Sequence, residues 1–143
     1  MARISKEMTS LMVEGESDTG RVRFLQIRDE MPKALESGKY PIRVDITWQY
    51  KGDNAGLPDE ATTREMEVFE QALIPALEKT NLALQAYQVT GEDQRLWCFY
   101  TRNINAFQET LNEALADLPL YPLSFYAEED TDADAFKEVF DLL

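Results

Sequence analysis

The segment IRVDITWQY, residues 42–50, opens the run of sequence that decides the fold. Polar residues separate its apolar ones, which occupy every second position: Ile42, Val44, Ile46, Trp48 and Tyr50. An alternation of this kind predicts a β-strand that packs one face against a core and turns the other face to water.

Five further elements follow in an order that is typical of one α+β architecture. They are a helix at 62–81, a strand at 82–90, a strand at 95–101 after a tight turn at 91–94, a helix from Asn103 or Asn105 to Pro119, and a strand at 120–127. The order β-α-β-β-α-β predicts a ferredoxin-like sandwich, an antiparallel sheet of four strands with two helices on one face. Such a fold hosts many unrelated activities, so it indicates little about function.

Single residues mark the limits of the first helix. Thr62 or Thr63 is expected to cap it, because the segment from Thr62 to Glu65 has the capping-box pattern. Pro75 predicts a kink or a break inside the helix, since proline lacks the N–H that the helix needs. Asn81 suits a left-handed residue at the end of the helix.

Segments on both sides extend this core. Residues 1–20 are expected to form an N-terminal arm, loose or with a short helix, and residues 21–28 an extra strand. A short C-terminal helix carries four apolar residues on one face: Phe136, Val139, Phe140 and Leu143. We therefore expect an arm at 1–20 and a single domain at 21–143.

The strand at 95–101, RLWCFYT, is apolar on both faces, although the two helices cover only one face of the predicted sheet. A second cover is therefore expected. The candidates are the segment at 21–28, the C-terminal helix or another subunit, so a homodimer through the apolar sheet face is one possible outcome.

The charge of the chain is strongly acidic. It has 143 residues with 27 acids against 14 bases, a net charge of −13. From Ala61 to the C-terminus there are 16 acids and five bases. Such a surface repels phosphate backbones, so direct nucleic-acid binding is not expected. It favours partners with a basic surface, although acidity also serves solubility alone.

The composition removes the commonest catalytic groups. The chain has no histidine and one cysteine, Cys98, which lies in the apolar run LWCFY. Without imidazole there is no Ser-His-Asp or Cys-His arrangement and no zinc site that needs histidine. Cys98 is interpreted as a small buried hydrophobe. We therefore expect no intrinsic enzymatic activity, no metal and no cofactor.

No apolar run is as long as a membrane span, and the N-terminal segment lacks the apolar core of a signal peptide. The sequence therefore predicts a cytoplasmic protein without a membrane partner.

Short motifs in a fixed order carry a resemblance to a known family. They are Tyr40-Pro41, Ile46–Tyr50, Gly56-Leu57-Pro58, Thr90-Gly91, Leu96–Thr101 and Pro122–Phe125. From Arg21 to the C-terminus the chain resembles the bacterial family named domain of unknown function 695. More distantly it is similar to the ribonuclease E inhibitor B family. That resemblance implies a small acidic cytoplasmic protein with a similar sandwich, which acts by binding rather than by catalysis.

The acidic run near the C-terminus is the first candidate site. Its residues Asp130, Asp132 and Asp134 have the alternate spacing of a calcium loop, but Ala135 stands where the sharp turn needs glycine. A solvated loop, whose last aspartate caps the final helix, is the favoured interpretation. We expect the following residues to contact a basic partner: Glu128, Glu129, Asp130, Asp132 and Asp134.

Aromatic residues provide the alternative site. Trp97 and Tyr100, next to the loop at 52–58, could line a pocket for a small ligand, although aromatic residues at strand spacing are more often core.

Two classes of function therefore stay open. The first is a non-catalytic regulator or inhibitor, in one version an immunity-like protein, that binds a basic protein. The second is a small-ligand-binding protein or a histidine-free enzyme.

Overall fold

A computed structural model describes residues 8–14 and 22–141 of the chain. It has four helices and six strands in these ranges. The helices are α1 (Met31–Glu36), α2 (Glu60–Glu78), α3 (Ile104–Ala114) and α4 (Asp134–Phe140). The strands are β1 (Met8–Glu14), β2 (Val22–Arg28), β3 (Ile42–Gln49), β4 (Ala83–Gly91), β5 (Gln94–Thr101) and β6 (Leu123–Glu129).

The strands form one open sheet in the order β1-β2-β4-β5-β3-β6, and every neighbouring pair is antiparallel. The predicted α+β class is therefore confirmed. β3 lies between β5 and β6, which are both distant from it in sequence, and β6 forms one edge of the sheet. None of the described helices is both long and apolar enough to cross a membrane.

The N-terminal residues differ from the prediction of a loose arm or short helix. Met8–Glu14 is an edge strand, β1, which pairs with β2 from Met8 opposite Arg28 to Glu14 opposite Val22. Its local sequence has little strand periodicity, so the pairing with the exposed edge of β2 determines its conformation. The extra strand predicted at 21–28 is present as β2, whereas the domain boundary at residue 20 stays a prediction.

The start of α2 also differs from the prediction. Asp59, rather than Thr62 or Thr63, is the N-cap, and its carboxylate accepts a hydrogen bond from the Thr62 N–H (2.7 Å). An aspartate has the short side-chain acceptor that this position requires, so the cap lies three residues before Thr62 and the helix begins at Glu60. Pro75 lies inside α2 without ending it, and Asn81 adopts the predicted left-handed conformation with φ 55°.

The second half of the core follows the prediction more closely. Asn103 caps α3, since its side chain accepts from the Ala106 N–H (3.0 Å). The helix ends at Ala114 rather than at Pro119, and β6 begins at Leu123 rather than at Leu120. Leu115 N–H still bonds the Leu111 carbonyl, but the next residues tighten into a turn, where Leu118 N–H bonds the Leu115 carbonyl (3.0 Å).

The sheet has a hydrophobic cluster on each face. On one face, α2 and α3 pack on the apolar side chains of β3, β4 and β5, with Trp97 and Phe99 completely buried. On the other face, α1 and α4 cover the opposite side of β4 and β5. The cover contributes Met31 and Ala34 of α1 and Phe136 of α4 to this cluster, which continues onto Leu25 and Ile27 of β2. Of the predicted covers, the C-terminal helix contributes, together with α1, which no pattern in the sequence predicts. The segment at 21–28 is instead strand β2 of the sheet itself.

A buried ion pair connects the sheet to α2. The Arg28 guanidinium of β2 contacts both carboxylate oxygens of Glu78, each at 2.7 Å. These two side chains are only 4% and 10% exposed. Arg28 also donates to the Gln85 carbonyl (3.3 Å), and Glu78 accepts from the Gln85 N–H (3.3 Å). The pair therefore links β2, β4 and α2.

Candidate functional site

β6 is an edge strand whose outer backbone groups can be assigned from its pairing. Among the described residues it pairs with β3 alone. Asp130 N–H bonds the Pro41 carbonyl (2.8 Å), and Gln49 N–H bonds the Pro122 carbonyl (3.3 Å). Since bonded and non-bonded positions alternate along an antiparallel ladder, the even-numbered residues from 122 to 130 bond β3. The backbone groups of four residues therefore point outward: Leu123, Phe125, Ala127 and Glu129.

One side of this edge is an apolar groove. Phe125 is 55% exposed and lies beside α3, and Ile104 at the start of that helix is also exposed. Together with Phe107 and Leu111 they line a groove of about 310 Å³ between α3 and β6. Exposed aromatic and aliphatic side chains in a groove of this kind are typical of a surface that contacts another molecule.

The opposite side of the edge is polar and mostly acidic. Arg43 of β3 pairs with Glu128 (Nη2 to Oε1, 2.9 Å) and lies near Asp45 (Nε to Oδ2, 3.4 Å). The Tyr126 hydroxyl donates to Glu128 (2.6 Å), and the Arg43 guanidinium lies 5.6 Å from the centre of the Tyr126 ring. These contacts follow from the β3–β6 register, which no local pattern in the sequence shows.

Asp45 and Arg43 are incompletely satisfied within this group. Asp45 Oδ1 and Arg43 Nε are buried without a hydrogen-bond partner. Burial raises the pKa of the Asp45 carboxyl, although the Arg43 guanidinium opposes that rise. A buried polar atom without a partner destabilises a protein, so these two atoms are a local cost to the stability of β3.

The acidic run has two structural roles as well as an exposed surface. Asp130 accepts hydrogen bonds from the Tyr100 hydroxyl (2.7 Å) and from the backbone N–H groups of Asp134 (2.8 Å) and Ala135 (3.2 Å). It therefore fixes α4 against β5. Of the predicted partner-binding residues, the other four are exposed: Glu128, Glu129, Asp132 and Asp134.

The pKa of Asp130 reflects these contacts. Burial alone would raise it, but the hydrogen bonds from Tyr100 and from the start of α4 hold it below its ordinary value. A lowered carboxyl pKa contributes stability above the unfolded-state pKa, and that stability is lost as the pH falls through the folded-state pKa. Asp130 thus has a structural role, while its predicted contact with a partner stays a prediction.

Trp97 and Tyr100 lie on opposite faces of β5, so the structure does not bring them into one pocket. Trp97 packs against Trp48 and Phe69 under α2. Tyr100 lies on the other face, where its hydroxyl contacts Asp130 and accepts from the Phe136 N–H (3.2 Å). Both are completely buried.

The loop at 52–58 borders a different cleft, on the α2 side of the sheet. The β1–β2 pair extends the sheet beyond α2. A cleft of about 560 Å³ lies where the uncovered part of the sheet meets this helix and the loop. Its polar lining is partly fixed, since Thr90 accepts from Arg95 Nε (2.8 Å) and Arg95 also pairs with Glu70 (3.1 Å). The lining comprises Ser10, Phe24, Leu25, Gln26, Leu57, Pro58, Thr63, Gln88, Thr90 and Arg95.

Cys98 is a buried thiol, and the acidic loop is an exposed turn before α4. Burial raises the pKa of the Cys98 thiol well above its ordinary value, so it stays a neutral side chain rather than a nucleophile. In the described ranges, no three side chains of His, Cys, Asp or Glu form a group that could hold a metal ion. Ala133, inside the calcium-like spacing, is a buried left-handed residue with φ 55°.

Comparison with known proteins identifies a family but no function. The family model described as a family of unknown function (DUF695) matches residues 19–140, so the chain belongs to this family. This confirms the resemblance predicted from the sequence, whereas the similarity to the ribonuclease E inhibitor B family stays a prediction. Neither the curated proteins nor the solved structures contain a match to the chain.

Proposed function

We propose that this member of the DUF695 family is a non-catalytic regulator or inhibitor that binds a basic surface of another protein through the β6 edge. The observation that carries the proposal is the edge itself, where outward backbone groups, exposed aromatic rings and carboxylates occur together. An immunity-like role, in which the partner is a toxin, is one version of it. A cytoplasmic location is part of the same proposal.

Charge supports a basic partner. Glu128, Glu129, Asp132 and Asp134 are exposed at one corner of the molecule, and the whole chain has a net charge of −13. A field of one sign accelerates the approach of an oppositely charged partner and repels nucleic acid. The proposal therefore places the contact at the acidic corner and not on the buried aromatic residues.

The proposal includes a ferredoxin-like arrangement of the strands and helices. The strand order β4-β5-β3-β6, with α2 and α3 packed on one face, supports a ferredoxin-like unit extended by β1 and β2. In such a unit β6 is an edge strand, which makes it accessible to a partner.

Reversing exposed charges tests the partner surface. In the double variant Glu129→Lys, Asp132→Lys, association with peptides selected from a displayed random library should slow on the order of tenfold at low salt. Dissociation should change less, because steering acts mainly on the encounter. Stopped-flow or surface plasmon resonance measurements at low and high salt provide both rates.

The matched control is Glu109→Lys, Glu113→Lys, which changes the net charge equally on an exposed part of α3. It should slow association much less, because the added charges lie away from the acidic corner. The proposal would be contradicted if the selected peptides were not basic, or if the association rates changed neither with salt nor with the charge reversals. Either result would move the interface to an apolar surface.

A second candidate function is supported by the cleft beside the loop at 52–58. Its volume of about 560 Å³ lies in the usual range for ligand sites, and it combines an exposed Phe24 ring with the amides of Gln26 and Gln88. Because Arg95 is already paired with Glu70, an uncharged polar heterocycle suits this lining better than an anion.

A fragment library of uncharged heterocycles tests this candidate. Binding should shift the backbone amide signals of Phe24, Thr90 and Arg95 in a two-dimensional NMR spectrum. The Gln88 amide oxygen already accepts from Gln85 Nε2 (3.2 Å), so its N–H groups are what it offers a ligand. Gln88→Leu should weaken binding about tenfold, in line with the loss of one hydrogen bond, whereas Gln71→Leu on the exposed side of α2 should not. No shift of these three signals at millimolar fragment would rule the candidate out.

A further inference from the structure

We propose that the partner contributes an extended segment that adds to the sheet as an antiparallel strand against β6, with side chains that alternate between apolar and basic. This inference rests on the protein-binding function proposed above and specifies its geometry. An unpaired sheet edge binds a strand through main-chain hydrogen bonds, while alternate side chains provide the specificity.

The backbone of β6 presents a regular set of groups to such a strand. The carbonyls of Leu123, Phe125, Ala127 and Glu129 point outward, and so do the N–H groups of the last three. Leu123 N–H is already bonded to the Tyr121 carbonyl (2.8 Å). Antiparallel addition continues the pairing of the whole sheet, and antiparallel ladders are slightly more stable than parallel ones.

The two sides of the edge call for two kinds of side chain. Residues of the added strand that lie opposite Phe125 and Ala127 fall on the α3 side, next to the apolar groove with Ile104. The residues between them fall on the side of Tyr126 and Glu128. Because strand side chains alternate between faces, the segment should carry apolar residues at every second position.

Charge specifies the remaining positions. On the Tyr126 side, Asp45, Glu128 and Asp130 surround the single guanidinium of Arg43. A lysine or arginine of the partner can pair with Glu128 and approach the half-exposed face of Tyr126. A second copy of this chain fits poorly, since β6 has no basic residue and each copy has a net charge of −13.

The acidic residues of β6 and the loop after it could also have the opposite role, which is to keep other strands away from this edge. Charged residues on edge strands often prevent strand pairing. Under that role the acidic corner would repel every added strand, and binding would occur elsewhere.

A synthetic peptide in which lysine and isoleucine alternate, of the same seven-residue length as β6, tests the inference. It should bind at least tenfold more tightly than a peptide of the same composition with its lysines in one block. Fluorescence anisotropy at constant salt measures both affinities. Equal affinities would overturn the inference while leaving a purely electrostatic protein contact intact.

N-methylation of the peptide backbone tests the hydrogen bonds without altering the protein. In antiparallel addition, the isoleucine N–H groups bond β6, because these residues lie opposite the outward-pointing ones. Methylating the isoleucine nitrogens should abolish binding, whereas methylating the lysine nitrogens should be tolerated. Antiparallel addition is overturned if methylation of the lysine nitrogens is the more harmful change, or if both sets of methylations have the same effect.

The protein side is tested by Ala127→Pro, which removes one outward N–H but no bond to β3. It should weaken peptide binding about tenfold, while Ala127→Val retains the N–H and the affinity. Thermal unfolding of both variants is compared with that of the native chain, and an unchanged unfolding temperature shows that the fold is retained. Normal binding by a folded Ala127→Pro variant, or dimers of the native chain that this variant disrupts, would overturn the inference.

Discussion

Replacing Arg28 with methionine is expected to lower the free energy of unfolding by about 3–5 kcal/mol, because it leaves Glu78 buried without its counter-charge. The two side chains are 4% and 10% exposed, so water cannot replace the lost guanidinium. Gln85 would also lose the hydrogen bond between its carbonyl and Arg28. Urea unfolding at neutral pH measures the change.

The double variant Arg28→Met, Glu78→Leu should recover most of this loss, since an apolar pair of similar volume is often as stable as a buried ion pair. Arg64→Met is the matched control. Arg64 pairs with Glu60 on the same helix, but these side chains are 72% and 80% exposed, and the change should stay below about 0.5 kcal/mol. If Arg28→Met and Arg64→Met had equal effects, the Arg28–Glu78 pair would not be buried in solution.

Phe136→Ala should lower the free energy of unfolding by about 3–5 kcal/mol, because it opens a cavity under α4. Phe136 is 2% exposed and packs in the cluster that covers the second face of the sheet. Urea unfolding again measures the effect. The expected loss is large because α4 has only seven residues, and the Phe136 ring is a fully packed anchor of this short helix on the sheet.

Leu120→Ala is the control for Phe136→Ala. Leu120 is fully exposed, so the loss of its side chain should change the free energy of unfolding by less than about 0.5 kcal/mol. If Phe136→Ala had as small an effect, α4 would not be packed on the sheet, and another cover, such as a second subunit, would be needed for the face with Tyr100.

The elements that sequence analysis predicted correctly are those with strong local signals. The alternation in β3, the apolar stripes of α2 and α3, and the left-handed Asn81 all depend on neighbouring residues. The predicted cap of α2 was wrong because Asp59 and Thr62 both carry suitable acceptors, and only the backbone conformation decides which of them caps the helix. The helix α1 was missed because six residues are too few for a periodic pattern.

The candidate site was predictable only in part. The acidic run was found from composition, but the role of Asp130 depends on a contact with Tyr100, 30 residues away. Trp97 and Tyr100 are three positions apart in one strand, so their opposite orientation follows from strand periodicity and was available in the sequence. The position of β6 at the edge of the sheet was not available in the sequence, because the order of strands in a sheet is set by pairing between distant segments.

The position of Cys98 makes its thiol a natural reporter of local opening on the face that α1 and α4 cover. It is the single cysteine of the chain, and its side chain is completely buried in β5. Cys98 lies opposite Asp45 of β3 and Tyr87 of β4, its side chain belongs to the cluster under α1 and α4, and its raised pKa keeps the thiol protonated at neutral pH. A thiol reagent can therefore react only when the α1 and α4 cover lifts from this face of the sheet, so the rate of alkylation measures that opening directly, without a tag or an introduced probe.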